Sequence, residues 1–164
     1  MRKVVILEGP DGGGKSTLAT WLRDTHGYEI VKTGPPSPYG DVTTAYLLAL
    51  TDALDRPCCT VFDRLHLGEA VYGPLLRGTD RMGVDGLKVL ERVIQLIGAR
   101  VIIVCPPWDA LVAGWGAKDD LLKHTAALRY VRHEYLEHAK RLGLVAYDWT
   151  AADAAERLKE MIAL

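Results

Sequence analysis

The stretch that most constrains the fold is EGPDGGGKST, residues 8–17, in which three consecutive glycines precede a lysine and two hydroxyl side chains. Glycine fills no space in a core and costs conformational entropy on folding, so the run indicates a backbone that something must approach closely. Residues 9–16 match the pattern G-x-x-x-x-G-K-[ST]. The apolar segment KVVILE before the motif is typical of a buried strand, and the residues from Lys15 to His26 are typical of a helix that stops at Gly27. This strand–loop–helix context predicts a phosphate-binding loop (P-loop).

The chemistry of phosphate explains why this backbone is bare. Phosphate oxygens need several backbone N–H donors that converge on one point, and side chains would block that approach. The helix N-terminus adds unpaired N–H groups and the positive end of its dipole. Lys15 is expected to reach the β- and γ-phosphates of a nucleoside triphosphate, and the Ser16 hydroxyl to bind Mg²⁺. The predicted ATP-phosphate-binding residues are Gly12, Gly13, Gly14, Lys15, Ser16 and Thr17.

The rest of the chain alternates between strand-like and helix-like segments. Further strands are predicted at YEIVKT, CCTVFD, ARVIIVCPP and LVAYDW. Helices are predicted over residues 41–55, 67–77, 86–98 and 119–141, with a last helix after a capping-box-like start at Thr150 and Asp153. Such alternation implies parallel strands joined by crossover connections. The predicted fold is α/β, a P-loop NTPase three-layer sandwich in which a five-stranded parallel sheet carries helices on both faces, with the first and fourth strands central.

Length, charge and cysteine usage exclude several classes of protein. The chain of 164 residues is of ordinary size for one domain, so residues 1–164 are expected to form a single P-loop domain. A net charge of -1 argues against wholesale coating of nucleic acid or of an anionic membrane. Cys58, Cys59 and Cys105 lack metal-binding spacing and are expected to be buried thiols. Without a signal peptide or a membrane-spanning run, the protein is expected to be cytoplasmic.

A second polar cluster follows the third predicted strand, where Asp63 and Arg64 are adjacent. Because the carboxyl ends of parallel strands line the ligand crevice, Asp63 is expected beside the P-loop, where it can hold Mg²⁺ through water. Arg64 would offer a planar fork to a second phosphate group. The chain has no N/T-K-x-D guanine-reading motif and no evident arginine finger, which disfavours a GTPase switch and a ring-forming ATPase. Among the P-loop classes considered, kinases of a small molecule or of nucleic acid remain.

Together the two motifs resemble those of the thymidylate kinases, among the nucleoside monophosphate kinases, in their short, divergent, bacteriophage-like form. The likeness rests on EGPDGGGKST and on D-R separated by seven residues from a tyrosine, over residues 63–72. Beyond residues 3–78 it extends only to the order of strands and helices. The resemblance implies a single kinase domain that uses ATP and Mg²⁺ to phosphorylate a (deoxy)nucleoside monophosphate to the diphosphate.

The resemblance also implies roles for individual acceptor-binding residues. Asp11 would approach the sugar hydroxyl of the acceptor, Arg64 would clamp its phosphate, and Tyr72 would lie near its sugar or base. His66 is a further acceptor-binding candidate because it lies in the same segment. Ser16 and Asp63 are the predicted metal-binding residues.

A lid is expected after the fourth strand, over residues 108–124, with Gly114 and Gly116 as hinges. It contains no arginine, so Lys118 is the residue expected to reach the transferred phosphoryl group. Arg129 and Arg132, on the next helix, are the second candidates for this contact. The predicted catalytic residues are therefore Lys15, Asp63, Arg64 and Lys118.

The sequence does not determine the identity of the acceptor, because the chain departs from the family at the positions where the family recognises the base. Thr33-Gly34-Pro35-Pro36 replaces an arginine-glutamate-proline sequence, and residues 43–55 offer neither a stacking phenylalanine nor a base-reading arginine. One alternative is a P-loop kinase of a hydroxyl acceptor, such as a small metabolite or a modified base in DNA (5-hydroxymethyluracil-like), with Asp11 or Asp63 as base. DNA is a partner only under that alternative, and it would need a basic groove, for which the sequence offers Arg77, Arg81, Lys88 and Arg92. A non-catalytic nucleotide-binding module is a third reading. Small-molecule nucleotides are the expected partners, no membrane is expected, and a homodimer is compatible with the sequence.

Overall fold

The centre of the molecule is a parallel sheet. A computed structural model describes residues 3–34, 39–115 and 122–162. Within these ranges the strands are β1 (Val4–Glu8), β2 (Glu29–Val31), β3 (Thr60–Asp63) and β4 (Arg100–Ile103). Their order across the sheet is β2-β3-β1-β4. Parallel pairing sets Ile6 of β1 opposite Phe62 of β3 and Val101 of β4, which brings the ends of β1 and β3 to one edge.

Seven helices accompany these strands in the described residues. They are α1 (Lys15–His26), α2 (Val42–Asp55), α3 (Leu67–Arg77), α4 (Gly83–Leu96), α5 (Trp108–Trp115), α6 (Thr125–Arg141) and α7 (Ala154–Ile162). The bounds predicted for α1 and α3 are confirmed. Gly27 ends α1 as predicted, and it does so in the left-handed conformation, at φ 69°.

Alternation along β1 produces the layers. Val5 and Leu7 pack in one apolar cluster with residues of α1 and α7, whereas Val4 and Ile6 pack in another with residues of α2 and α4. A third cluster joins α3 and α6 around the fully buried Tyr135. Helices therefore cover both faces of the sheet, and the predicted α/β three-layer P-loop architecture is confirmed.

The prediction of five strands is wrong for the described residues, since the sheet has four. In the segment LVAYDW only Tyr147 pairs, through an isolated parallel bridge to Val104. Its N–H donates to the Ile103 carbonyl at 2.7 Å and its carbonyl accepts from Cys105 N–H at 2.9 Å. The extended stretch is cut short by the left-handed Gly143 before it and by a turn at Asp148 after it. With its outer neighbour reduced to a bridge, β4 is an edge strand, whereas β1 is central as predicted.

Three smaller expectations also change. The helix predicted over residues 119–141 begins at Thr125, because His124 is extended at φ -138° and ψ 142°, and residues 119–121 lie outside the described residues. The last helix begins at Ala154. Thr150 does not cap it, since its hydroxyl donates to Asp148 Oδ1 at 2.7 Å.

Cys105 is buried as expected, whereas Cys58 and Cys59 are half-buried, and all three are free thiols. No helix in the described ranges is both long and apolar enough to cross a bilayer.

Candidate functional site

The P-loop has the bare backbone that the motif predicts. Gly12 and Gly14 have φ angles of 75° and 96°, in the left-handed region that favours glycine. A Cβ atom on Gly12 would stand 2.5 Å from the backbone nitrogen of Trp115. A Cβ atom on Gly14 would stand 2.9 Å from Nε1 of Trp149. Both the conformation and the packing therefore require glycine at these two positions.

Lys15 lies folded into its own loop. Its Nζ donates to the carbonyl oxygens of Gly9 at 2.8 Å and of Pro10 at 2.6 Å. The side chain is buried, and this burial lowers the pKa of the Lys15 ammonium to about 7. Phosphate oxygens in the loop would offer this amine negative charge in place of neutral carbonyl groups.

Ser16 and Asp63 join the P-loop to the end of β3. The Ser16 hydroxyl donates to Asp63 Oδ2 at 2.7 Å. A hydroxyl and a carboxylate oxygen at this distance are the hard ligands that Mg²⁺ prefers, so the pair fits the predicted metal site. In the parts of the chain that the structure describes, no group of three or more His, Cys, Asp or Glu side chains could hold a metal ion by itself. An ion here would complete its coordination with phosphate oxygens and water.

Arg64 is held in a strained conformation. With φ at 76°, it is the only non-glycine residue with positive φ among the described residues. Such a conformation costs about 1–3 kcal/mol and persists only where the surroundings impose it. The Arg64 N–H donates to the Leu7 carbonyl at 2.9 Å, and the Arg64 carbonyl accepts from the Thr33 hydroxyl at 2.8 Å. The turn is thereby attached to both β1 and the segment after β2.

The strained turn delivers the Arg64 guanidinium to Asp11 and Tyr72. Nη2 of Arg64 pairs with Oδ1 of Asp11, and the guanidinium carbon lies 5.6 Å from the centre of the Tyr72 ring. The Tyr72 hydroxyl accepts the Asp11 N–H at 3.0 Å. Three of the four residues predicted to bind the acceptor are therefore in mutual contact beside the P-loop. Their roles toward a ligand stay predictions.

The structure does not bring His66, the fourth, to this group. The His66 side chain is fully buried, and neither ring nitrogen has a hydrogen-bond partner. It lines a cavity of about 660 Å³ together with residues of α4, the start of β4 and the segment after α6, including Glu91, Val101 and Leu144. Neither the P-loop nor Arg64, Asp11 and Tyr72 contributes to the walls of this cavity.

Burial of His66 predicts a loss of stability in acid. Burial lowers the pKa of His66 to about 4. The unfolded chain, with a histidine pKa near 6.5, therefore binds the proton first, and the free energy of unfolding falls as the pH drops from about 6.5 to 4, by up to about 3 kcal/mol. Urea unfolding across this range should show a shallower pH dependence in His66→Gln than in the wild type. His133→Gln, at an exposed position of α6, should keep the wild-type slope. Identical slopes in all three proteins would contradict this account.

The predicted lid is described only in part. Lys118 and the hinge Gly116 lie outside the described residues. Residues Trp108–Trp115 form α5, whose end packs on the P-loop so closely that a Cβ atom on Gly114 would stand 2.4 Å from the Gly12 carbonyl oxygen. Of the two arginines that are second candidates for the phosphoryl contact, Arg129 stacks on Trp108, with its guanidinium carbon 4.2 Å from the ring centre. Nε of Arg132 is buried without a hydrogen-bond partner.

Sequence reasoning missed two residues beside the loop. Trp149 donates its Nε1–H to the Gly13 carbonyl at 2.9 Å, from a position 136 residues away, and no local pattern could have indicated that contact. Glu8 is a fully buried carboxylate at the end of β1. A signal for Glu8 was present, because an acidic residue ends an otherwise apolar strand immediately before the P-loop.

The four cations that the sequence offers for a basic groove differ in their surroundings. Arg77 and Arg81 both pair with Oε1 of the buried Glu69, Arg81 through its Nε at 3.3 Å. Lys88 and Arg92 are exposed on α4. Two of the four cations are therefore paired with a carboxylate.

Comparison with known proteins finds one relative by sequence and several by fold. No protein-family model matches the chain. The thymidylate kinase of Bordetella petrii is 30% identical over 115 residues, an alignment that covers 55% of this chain and 56% of that enzyme. The chain thus matches just over half the length of this relative. The resemblance to thymidylate kinases drawn from the two motifs is confirmed.

Solved structures share the fold over nearly the whole chain. The YorR protein of Bacillus subtilis, in complex with phosphorylated GDP, has a TM-score of 0.74 at 21% identity and covers 98% of this chain and 94% of its own. Deoxyadenosine kinase from M. mycoides with bound dATP has a TM-score of 0.63 at 14% identity, over 97% of this chain and 98% of its own. A gluconokinase from Sinorhizobium meliloti has a TM-score of 0.57 at 16% identity, over 99% of this chain and 92% of its own. At these identities the likeness shows the fold alone.

Proposed function

We propose that the protein transfers the γ-phosphoryl group of ATP to a (deoxy)nucleoside monophosphate, giving the diphosphate. The observation that carries this proposal is that two groups suited to binding phosphate lie at one edge of the sheet. The P-loop, with Lys15 and Ser16, is one of them, and the guanidinium of Arg64 is the other. Two phosphate groups that react with each other need such adjacent positive sites. The thymidylate kinase relative supports a monophosphate acceptor. The deoxyadenosine kinase and gluconokinase of the same fold support phosphoryl transfer in general.

Each residue then has a defined task in phosphoryl transfer, which depends mainly on positioning and on neutralising charge. Backbone N–H groups of residues 12–17 hold the donor phosphates, and Lys15 neutralises charge on the β- and γ-phosphates. Arg64 holds the acceptor phosphate with its planar fork. Ser16 and Asp63 would hold Mg²⁺, which when bound supplies positive charge to the phosphate oxygens. Lys118 is the proposed lid contact to the transferred group.

A phosphate acceptor suits a site in which the carboxylate of Asp11 is already paired with a cation. A nucleotide phosphate is ionised at neutral pH and attacks without losing a proton. Oδ1 of Asp11 is already held by Nη2 of Arg64. The acceptor sugar hydroxyl would instead donate to the Asp11 carboxylate, and Tyr72 would pack nearby.

A hydroxyl acceptor is the second candidate, and one observation favours it. Oδ2 of Asp11 is buried and has no hydrogen-bond partner, so it could accept the proton of an attacking hydroxyl. Against a hydroxyl within DNA stands the pairing of Arg77 and Arg81 with Glu69, which leaves less open positive surface for a DNA backbone.

The substitution Asp11→Asn separates the two candidates. With a monophosphate acceptor, kcat should stay within about threefold, and the acceptor KM should rise about tenfold, because the amide loses the charged contact to Arg64. With a hydroxyl acceptor and Asp11 as its base, kcat at saturating acceptor should fall about 10²- to 10⁴-fold. Asp63→Asn is the control, because loss of a carboxylate that holds Mg²⁺ should lower kcat under either candidate. Steady-state kinetics with both substrates varied give these constants.

The proposal as a whole is tested by coupling ADP release to NADH oxidation. Wild-type protein, ATP and Mg²⁺ are combined in turn with each (deoxy)nucleoside monophosphate, with free nucleosides, with gluconate and with DNA. Acceptor-dependent ADP release with at least one monophosphate is expected. Release only with nucleosides, gluconate or DNA would move the assignment to a hydroxyl kinase, and no release with any acceptor would favour the non-catalytic module.

A further inference from the structure

Glu8 is a buried carboxylate that the phosphate chemistry does not use. It ends β1, directly before the P-loop, and none of its surface is exposed. Burial raises the pKa of its carboxyl group. Burial disfavours the charged form of a carboxyl group, so hydrogen-bond donors are expected around Glu8. These donors are not in the P-loop.

The closest partners of Glu8 are two backbone donors that follow Arg64 in the chain, and His66 Nδ1 lies 3.8 Å from Oε1. Oε1 of Glu8 accepts the N–H groups of Leu65 and Leu67, each at 3.0 Å. Oε2 lies 3.5 Å from the Tyr135 hydroxyl, which donates to it. A single oxygen thus holds the two N–H groups that bracket His66, at the point where the chain leaves the turn and enters α3.

These bonds complete the attachment of the strained turn. On its other side the turn is held by the Arg64 N–H on the Leu7 carbonyl at 2.9 Å. Arg64 itself has φ 76°, a conformation that an arginine keeps only under external constraint. Because the side-chain direction follows from the backbone conformation, relaxation of this turn would carry the guanidinium away from Asp11 and the Tyr72 ring.

We propose that Glu8 is a positioning residue for acceptor binding: its carboxylate fixes the turn that aims the Arg64 guanidinium at the acceptor phosphate, although Glu8 touches neither substrate. The inference rests on the proposed function in one respect, namely that Arg64 binds the acceptor. It adds a residue of β1 to the acceptor site, and it makes the acceptor site depend on the strand that also begins the donor site.

A double-mutant cycle with Arg64 tests this role. Glu8→Leu removes both oxygens, and it should raise the acceptor KM about 10- to 100-fold, as expected for a misplaced binding group, while the Kd for ATP changes less than about twofold. Glu8→Gln keeps an oxygen acceptor for Leu65 and Leu67 and should restore most of the affinity. In an Arg64→Ala background, Glu8→Leu should have no further effect on the acceptor KM, because the group that it aims is already gone.

Thr60→Val is the matched control, since Thr60 is also fully buried in the sheet and its hydroxyl has no hydrogen-bond partner. It should leave the acceptor KM unchanged. If Glu8→Leu does not fold, Glu8→Asp replaces it, because the shorter carboxylate cannot reach both N–H groups; the same rise in KM is expected.

The outcomes separate the inference from the function on which it rests. An Arg64→Ala protein with a raised acceptor KM, together with a silent Glu8→Leu, would overturn the role of Glu8 alone. Equal effects of Glu8→Leu in the wild-type and Arg64→Ala backgrounds would also overturn it, since they would indicate a general structural defect. An unchanged acceptor KM in Arg64→Ala would overturn the acceptor clamp itself, and the role of Glu8 with it.

Discussion

Lys15→Ala should lower kcat by about 10²- to 10³-fold, the loss that follows removal of one preorganised charge from a phosphoryl-transfer site. Lys15 is the only ammonium group that the structure places within the P-loop in the described residues, at 2.8 Å and 2.6 Å from the Gly9 and Pro10 carbonyls. These distances show that its Nζ already occupies the interior of the loop. Rates at saturating ATP and acceptor measure the loss.

A loss of fold is separated from a loss of chemistry by a second substitution. Burial lowers the pKa of Lys15, so the buried charge opposes folding, and Lys15→Met should keep the melting temperature of the wild type or raise it. It should nevertheless lose as much activity as Lys15→Ala. Lys159→Ala, at an exposed position of α7, should retain full activity. A Lys15→Met protein with most of its kcat would remove the P-loop lysine from the reaction.

Arg64→Ala should raise the acceptor KM about 10- to 100-fold and leave ATP binding nearly unchanged, because a charged hydrogen bond to phosphate contributes about 1.5–3 kcal/mol. Arg64→Lys keeps the charge but loses the planar fork, so it should recover only part of the affinity. Acceptor KM from initial rates, and the Kd for ATP from calorimetry, give the two quantities separately.

The positive φ of Arg64 provides a control for the backbone. Arg64→Gly removes the same guanidinium but suits φ 76°, so it should be more stable than Arg64→Ala while binding the acceptor equally poorly. Arg92→Ala, on the exposed face of α4, should change neither constant. Equal weakening of ATP and acceptor binding in the Arg64 variants would indicate that Arg64 is structural.

The parts of this molecule that the sequence predicted are those determined by nearby residues. The helix from Lys15 to His26 follows from the glycines that flank it, and the P-loop follows from a strand and a helix that are adjacent in the chain. Asp63 and Arg64 could be placed beside the loop because the ends of neighbouring parallel strands share an edge. In each case a short pattern determines the geometry.

The features that the sequence did not predict correctly depend on contacts between residues far apart in the chain. His66 is two residues from Arg64, but the chain enters α3 at that point, and the buried imidazole lines a cavity walled by α4, the start of β4 and the segment after α6. The strained φ of Arg64 is imposed by Leu7, Glu8 and Thr33, none of which is near it in sequence. The fifth strand was predicted from its apolar residues, but Gly143 and the turn at Asp148 leave only Tyr147 to pair.

The measurement that tests the central claim most directly follows the phosphoryl group itself. The protein is incubated with γ-³²P-labelled ATP, Mg²⁺ and each nucleoside monophosphate, and the products are separated by chromatography. The account predicts label in a nucleoside diphosphate, as its β-phosphate, in the wild type, and its loss in Lys15→Met. Label in DNA, in a nucleoside or in a small metabolite, with every monophosphate unlabelled, would contradict it.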